Sequence, residues 1–232
     1  MLLVSSLLLW ENMASASMDT SVFSNGEVSL KDHFDDAIIL SKTISELATE
    51  IRRLFSTNAF SSDMFLNITL GLLKDQEFMF KTLNSCHTFS LNTPETKEEA
   101  RKISLEDFLK LILSILHAWN NPLHHLLEEL SAMPGAPDDN LSRVEDIEVK
   151  HKELQESIMR IVSRVHPEME GNEEYPVWSE LASLQSVEEK SRFFALYKLS
   201  YCLRVDTDKV NTYLRLLRCV HVHGDICYNL ED

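Results

Sequence analysis

Glycine and proline are scarce in this chain, five and six among 232 residues, which excludes a loop-rich or low-complexity architecture. No segment alternates as a strand would, and no internal repeat recurs. Cations are also few. Twenty-two basic against 37 acidic side chains give a net charge of −15, which repels phosphate backbones and anionic lipid and so argues against nucleic-acid and membrane-surface partners. The apolar run LLVSSLLLW at residues 2–10 is too short to span a bilayer, so no membrane insertion is expected. There is no His-Glu-x-x-His, no phosphate-binding glycine loop and no serine elbow, hence no expected enzyme chemistry and no cofactor.

What is present begins with that run. No basic residue precedes it, but Ala14-x-Ala16 follows, the small-residue pattern of a signal-peptidase site. Residues 1–16 read as a secretory signal cut between Ala16 and Ser17, and residues 17–232 as one domain of a secreted, extracellular protein. Four cysteines in that compartment suggest two disulfides. Glycosylation sequons occur at Asn67-Ile68-Thr69 and Asn140-Leu141-Ser142. Asn140, beside a short link, is the expected acceptor, whereas Asn67 has hydrophobic neighbours that could bury it.

Four stretches carry apolar residues at steps of three and four, the period of an amphipathic helix. They are 28–55, 104–133, 140–165 and 186–219. In the first, Leu30, Phe34, Ala37, Ile38, Ile44, Leu47, Ile51 and Leu54 form the stripe. The second begins at a capping arrangement, Ser104-Leu-Glu-Asp107, and is expected to kink at Pro122, which has no backbone donor. The fourth is expected to open on a capping box at Ser186-Val-Glu-Glu189. Each helix can bury one stripe, so an all-α four-helix bundle results. The link at 132–137 reaches only ~20 Å at full extension, so helices two and three must be antiparallel. Residues 56–103 and 166–185 are long enough to be crossovers. An up-up-down-down long-chain bundle of the cytokine type follows, with a short helix in the first crossover.

Helical spacing also constrains the cysteines. Cys202 and Cys219 lie on one helix ~25 Å apart, beyond the ~7 Å reach of a disulfide. Cys202 with Cys227 would need the tail to run extended back along the helix through Gly224-Asp225, a turn-like pair. The preferred map is Cys86 to Cys202 and Cys219 to Cys227. His221 and His223 lie inside the second loop, but paired cysteines offer no thiolates to a metal there.

These cysteine contexts closely resemble the prolactin, growth hormone and placental lactogen family. CHTFSLNTPETKEEA with FLKLILSILHAW carries Cys86, Pro94, Ala100, Phe108 and Trp119 in its first signature, and CLRVDTDKVNTYLRLLRC carries Cys202, Asp206, Tyr213 and Cys219 in its second. AFSSDMF and FFALYKLSYCLRVD are most similar to the proliferin-like placental branch. The resemblance implies a monomeric hormone that binds a single-pass cytokine-type receptor, one receptor chain on helices one and four and a second on helices one and three. Lys209 and Tyr213 align with first-site contacts. Lys42, Ser45 and Asp208 align with three histidines that make the first site zinc-sensitive in prolactin-like hormones, and only Asp208 remains a competent ligand. Ser157 aligns with the small glycine at the centre of the second site. These departures imply weak activation of the prolactin receptor, or use of another receptor.

A second functional class is a metal-dependent or ligand-carrying helical bundle. His117, His124 and His125 share one face at steps of seven and eight, but no Glu-x-x-His pattern accompanies them, and a solvated face is the expected reading, with no metal. His151 is expected in the core or at its boundary.

Overall fold

The computed structural model describes residues 28–77, 85–133, 135–168 and 174–223, and every regular element among them is helical. Helix α1, Leu30–Thr57, starts at a capping box. The Ser29 hydroxyl accepts the Asp32 N–H at 3.2 Å while the Asp32 carboxylate accepts the Ser29 N–H at 3.1 Å. Its stripe, from Phe34 through Ile44 and Ile51 to Phe55, is buried. Helix α2, Ser62–Lys74, is the short helix expected in the first crossover. Its Phe65 stacks on Phe55 at 5.0 Å and meets Tyr197 edge-on at 5.4 Å, which holds the crossover against both long helices.

The second predicted helix is two pieces, α3 (Leu105–Ala118) and α4 (Asn120–Ala132), divided at Trp119. The break lies before Pro122 because proline acts backwards: with no N–H, it leaves the Ala118 carbonyl without its helical partner. That carbonyl bonds the His87 ring Nε2 at 2.9 Å instead. Helix α5, Asp138–Val165, follows Pro137, which stands at the N-cap in an extended conformation, and puts Asp138 and Asp139 at the positive end of its dipole. Helix α6 runs Glu189–His223. The capping box expected at Ser186 does not form. The Ser186 hydroxyl accepts the Glu188 N–H, only two residues on, at 3.2 Å, so the chain makes a serine turn first and the helix opens later.

Paired side chains give the directions. Along α1, Ser41, Ser45 and Arg52 meet Asn211, Asp208 and Tyr197 of α6 in descending order. Val28 and His33 meet Arg164 and Ser157 of α5 in descending order too. On the other side, Phe108 and Trp119 of the second helix meet Tyr213 and Asp206 of α6. Asn120 bonds Gln155 of α5. Helix α1 is therefore antiparallel to α5 and α6, and α3 is antiparallel to α6. The shared core holds Phe34, Ile44, Phe108, Trp119, Ile158 and Phe193, each at most 1% exposed. Burial of side chains this size contributes roughly 1.5–3 kcal/mol apiece.

Candidate functional site

The disulfide from Cys86 to Cys202 crosses 116 residues of chain with its Cα atoms 5.6 Å apart. One helical turn beyond Cys202, Asp206 is buried, and its Oδ2 accepts both the Trp119 Nε1–H at 2.8 Å and the Thr88 hydroxyl at 2.7 Å. Burial raises the Asp206 pKa; the Thr88 and Trp119 donors oppose the rise. His87 lies edge-on to Trp119 at 4.9 Å. Farther along, the Tyr213 hydroxyl donates to the Pro94 carbonyl at 3.1 Å and its ring packs on Phe108 at 4.9 Å. Residues 86–94 are thus fixed to α6 at both ends. Between them an open groove of about 670 Å³ separates Phe89–Glu95 from Val205–Tyr213, and Phe89 stands 64% exposed on its rim.

Beside this groove, α1 and α6 form a polar face. Lys42 is exposed and pairs with Glu46 at 3.5 Å. Ser45 donates to Asp208 Oδ1, and Arg204 holds Asp208 Oδ2 at 3.0 Å. Lys209 is half-buried at the groove wall. Farther along, the Arg52 guanidinium lies over Tyr197 at 5.1 Å and Tyr201 at 5.5 Å, and Arg204 lies over Tyr201 at 5.9 Å. Stacking on aromatic faces pre-orders these cations without consuming their hydrogen-bond donors. Phe89, Arg52 and Tyr201 were not singled out in the sequence, where only their residue types, common at interface hot spots, carried any signal.

Residues 2–227 match the sequence model of the somatotropin hormone family. The chain belongs to that family. It is 55% identical over 231 residues to Prolactin-7B1 of Rattus norvegicus, covering 100% of this chain and 92% of the relative. Prolactin-7B1 of Mus musculus is 56% identical over 226 residues, 97% of this chain and 90% of the relative. Prolactin-7C1 of Mus musculus is 54% identical over 231 residues, with coverage of 100% and 92%.

Two of the side chains aligned with somatotropin-family receptor contacts are largely covered. Tyr213 is only 6% exposed, donates its hydroxyl to the Pro94 carbonyl and lines the groove. Ser157 is 1% exposed, inside the seam between α5 and α1, with its hydroxyl 3.5 Å from the His33 carbonyl. The two sequons differ in exposure: Asn67 is exposed on α2, whereas Asn140 is 0% exposed and neither amide atom has a partner. The first turn of α5 faces the bundle at Asn140, which helical spacing alone did not reveal.

The histidines divide, His117 apart from the adjacent pair His124 and His125, whose rings lie 5.7 Å from each other. His117 packs on Tyr175 at 5.6 Å, while His124 and His125 bond opposite oxygens of Glu128 at 3.2 and 3.1 Å. Among the described residues no three His, Cys, Asp or Glu side chains converge as a metal's ligand set. His151 is buried, as expected. No described helix is long and apolar enough to cross a membrane. Cys219 is disulfide-bonded. Its expected partner Cys227, together with Ala16 and Ser17, lies outside the described residues.

Proposed function

We propose that this somatotropin-family chain is a secreted, monomeric hormone that engages a single-pass cytokine-type receptor through the α1–α6 face and the rim of the adjoining groove, and that it activates the prolactin receptor only weakly. The observation that carries the reading is Phe89, an exposed aromatic held between the buried Thr88 and the half-buried Pro94, on a groove whose opposite wall carries Asp208 and Lys209. Aromatic side chains are enriched in the cores of protein interfaces, and their rims are polar. Lys42, Ser45, Asp208 and Lys209 supply the polar surround. A second receptor chain is expected on the α1–α5 seam, over Ser157 and not on it. Cleavage after Ala16, closure of the tail by Cys219 and Cys227, and an N-glycan on Asn67 in preference to Asn140 complete the proposal.

The test is binding of the secreted protein to immobilised cytokine-receptor ectodomains, the prolactin receptor among them, with a prolactin-receptor reporter cell in parallel. Phe89→Ser should weaken the binding observed by about ten-fold or more, with thermal stability unchanged. Undiminished binding by this variant would remove the assigned face. Reporter potency equal to that of prolactin would refute weak activation.

A further inference from the structure

Helix α2 has two apolar faces. Phe65 and Leu72 are buried, yet Leu66, Leu70 and Leu73 are 58%, 43% and 69% exposed. Steps of four and three place these leucines in one stripe, and an apolar patch left open on a soluble protein either takes a partner or promotes association. Asn67 is exposed on the same helix, next to Leu66 and three residues before Leu70. Helical side chains lean toward the helix N-terminus, so Leu70 lies over the turn that bears Leu66 and Asn67. One turn on from Asn67 is Gly71, where a Cβ would meet nothing within 4 Å. At 100° per residue Gly71 falls on the side of Asn67 away from the leucines, whereas Leu70, three residues on, is the sequon's neighbour across the helix surface.

We propose that the N-glycan of Asn67 folds over Leu70 and covers the Leu66–Leu70–Leu73 stripe, so that the occupant of this face is the chain's own sugar. The inference rests on the proposed glycosylation of Asn67. In that transfer the Asn67 amide nitrogen forms a bond to C1 of the first N-acetylglucosamine of a lipid-diphosphate-linked oligosaccharide. The C1–O bond to the diphosphate breaks, the lipid diphosphate leaves, and the amide proton passes to a base of the transferase. The reaction takes place on the extended chain before α2 forms. N-acetylglucosamine suits the stripe because its ring C–H face and acetyl methyl are apolar while its hydroxyls point to water. Bulk and hydration then keep the leucines from a second copy.

The experiment compares secreted protein before and after enzymatic removal of N-glycans, by light scattering and by binding of a hydrophobic fluorescent dye, beside Asn67→Gln and Leu66→Ser/Leu70→Ser/Leu73→Ser chains. The intact glycoprotein should be monomeric and bind little dye. The deglycosylated and Asn67→Gln proteins should shift toward dimers and larger species and bind more dye, and the triple serine change should abolish both effects. Circular dichroism confirms that each variant is folded. Deglycosylated protein that stays monomeric and dye-silent overturns the shield while leaving glycosylation intact. A bare Asn67 peptide in the mass spectrum of the secreted protein overturns the glycosylation reading and the shield with it. Association of the intact glycoprotein through the leucines assigns the stripe to a second copy and overturns the shield alone.

Discussion

His151 is buried in α5 with its Nε2 unpartnered, and desolvation lowers its pKa from 6.5 to about 4, helped by the nearby His117 and opposed by the Leu116 carbonyl. The folded protein binds this proton more weakly than the unfolded chain does. Its contribution is therefore complete above pH 6.5 and is lost as pH falls through 4, and it amounts to about 3 kcal/mol. His87, also lowered by burial, adds in the same direction. His151→Leu should flatten the decline of denaturant stability between these pH values, and an unchanged slope would show that another group controls it. Asp206 has the opposite sign. Its raised folded pKa means that its contribution is fullest below the unfolded value of 3.8 and is lost as pH rises through the folded one. At neutral pH the carboxylate is still needed as an acceptor. Asp206→Ala would strand the Trp119 and Thr88 donors and should destabilise the protein by about 3 kcal/mol in urea titrations. A loss under about 1 kcal/mol would mean that water replaces the carboxylate at little cost.

At the scale of elements, the first crossover is held by interactions of unlike kinds at separate points. The disulfide joins its end to α6, the His87 ring bonds the carbonyl that Pro122 left free, and Phe65 seats α2 between α1 and α6. The proline was legible as a kink, but its consequence was not, because the group that satisfies the vacated carbonyl lies 31 residues earlier in the chain. By chain entropy the long disulfide loop is worth about 4.7 kcal/mol, and the expected short loop from Cys219 to Cys227 about 2.5. Cys86→Ser with Cys202→Ser should therefore depress the thermal midpoint and secreted yield far more than Cys219→Ser with Cys227→Ser. Equal losses in the two variants would contradict that ranking.

Over the whole molecule, the acidic excess leaves few cations, and several of these are engaged at the α1–α6 face by tyrosines or by Asp208. The same engagement bears on zinc. Both Asp208 oxygens accept hydrogen bonds, from Ser45 and Arg204, and the aligned positions 42 and 45 hold lysine and serine. Micromolar zinc is therefore expected to leave first-site receptor binding unchanged. Tightening that a chelator reverses would sink this expectation.

Local periodicity and chain geometry set out the four helical stretches, most of the buried stripes, the reach of the links and the preference for Cys86 with Cys202, but not the break at Trp119 or the late opening of α6. Tertiary structure decided which polar side chains are free to act. Asn140 and Asn67 bear equivalent sequons, yet one faces the bundle and the other solvent. Tyr213 and Ser157 occupy positions that resemblance marks as contacts, and both are covered by neighbouring elements. Arg52 gains its aromatic platform from residues some 145 positions away. Helical spacing fixes the side of its own helix on which a residue lies, but whether another element covers that side depends on packing between segments distant in sequence.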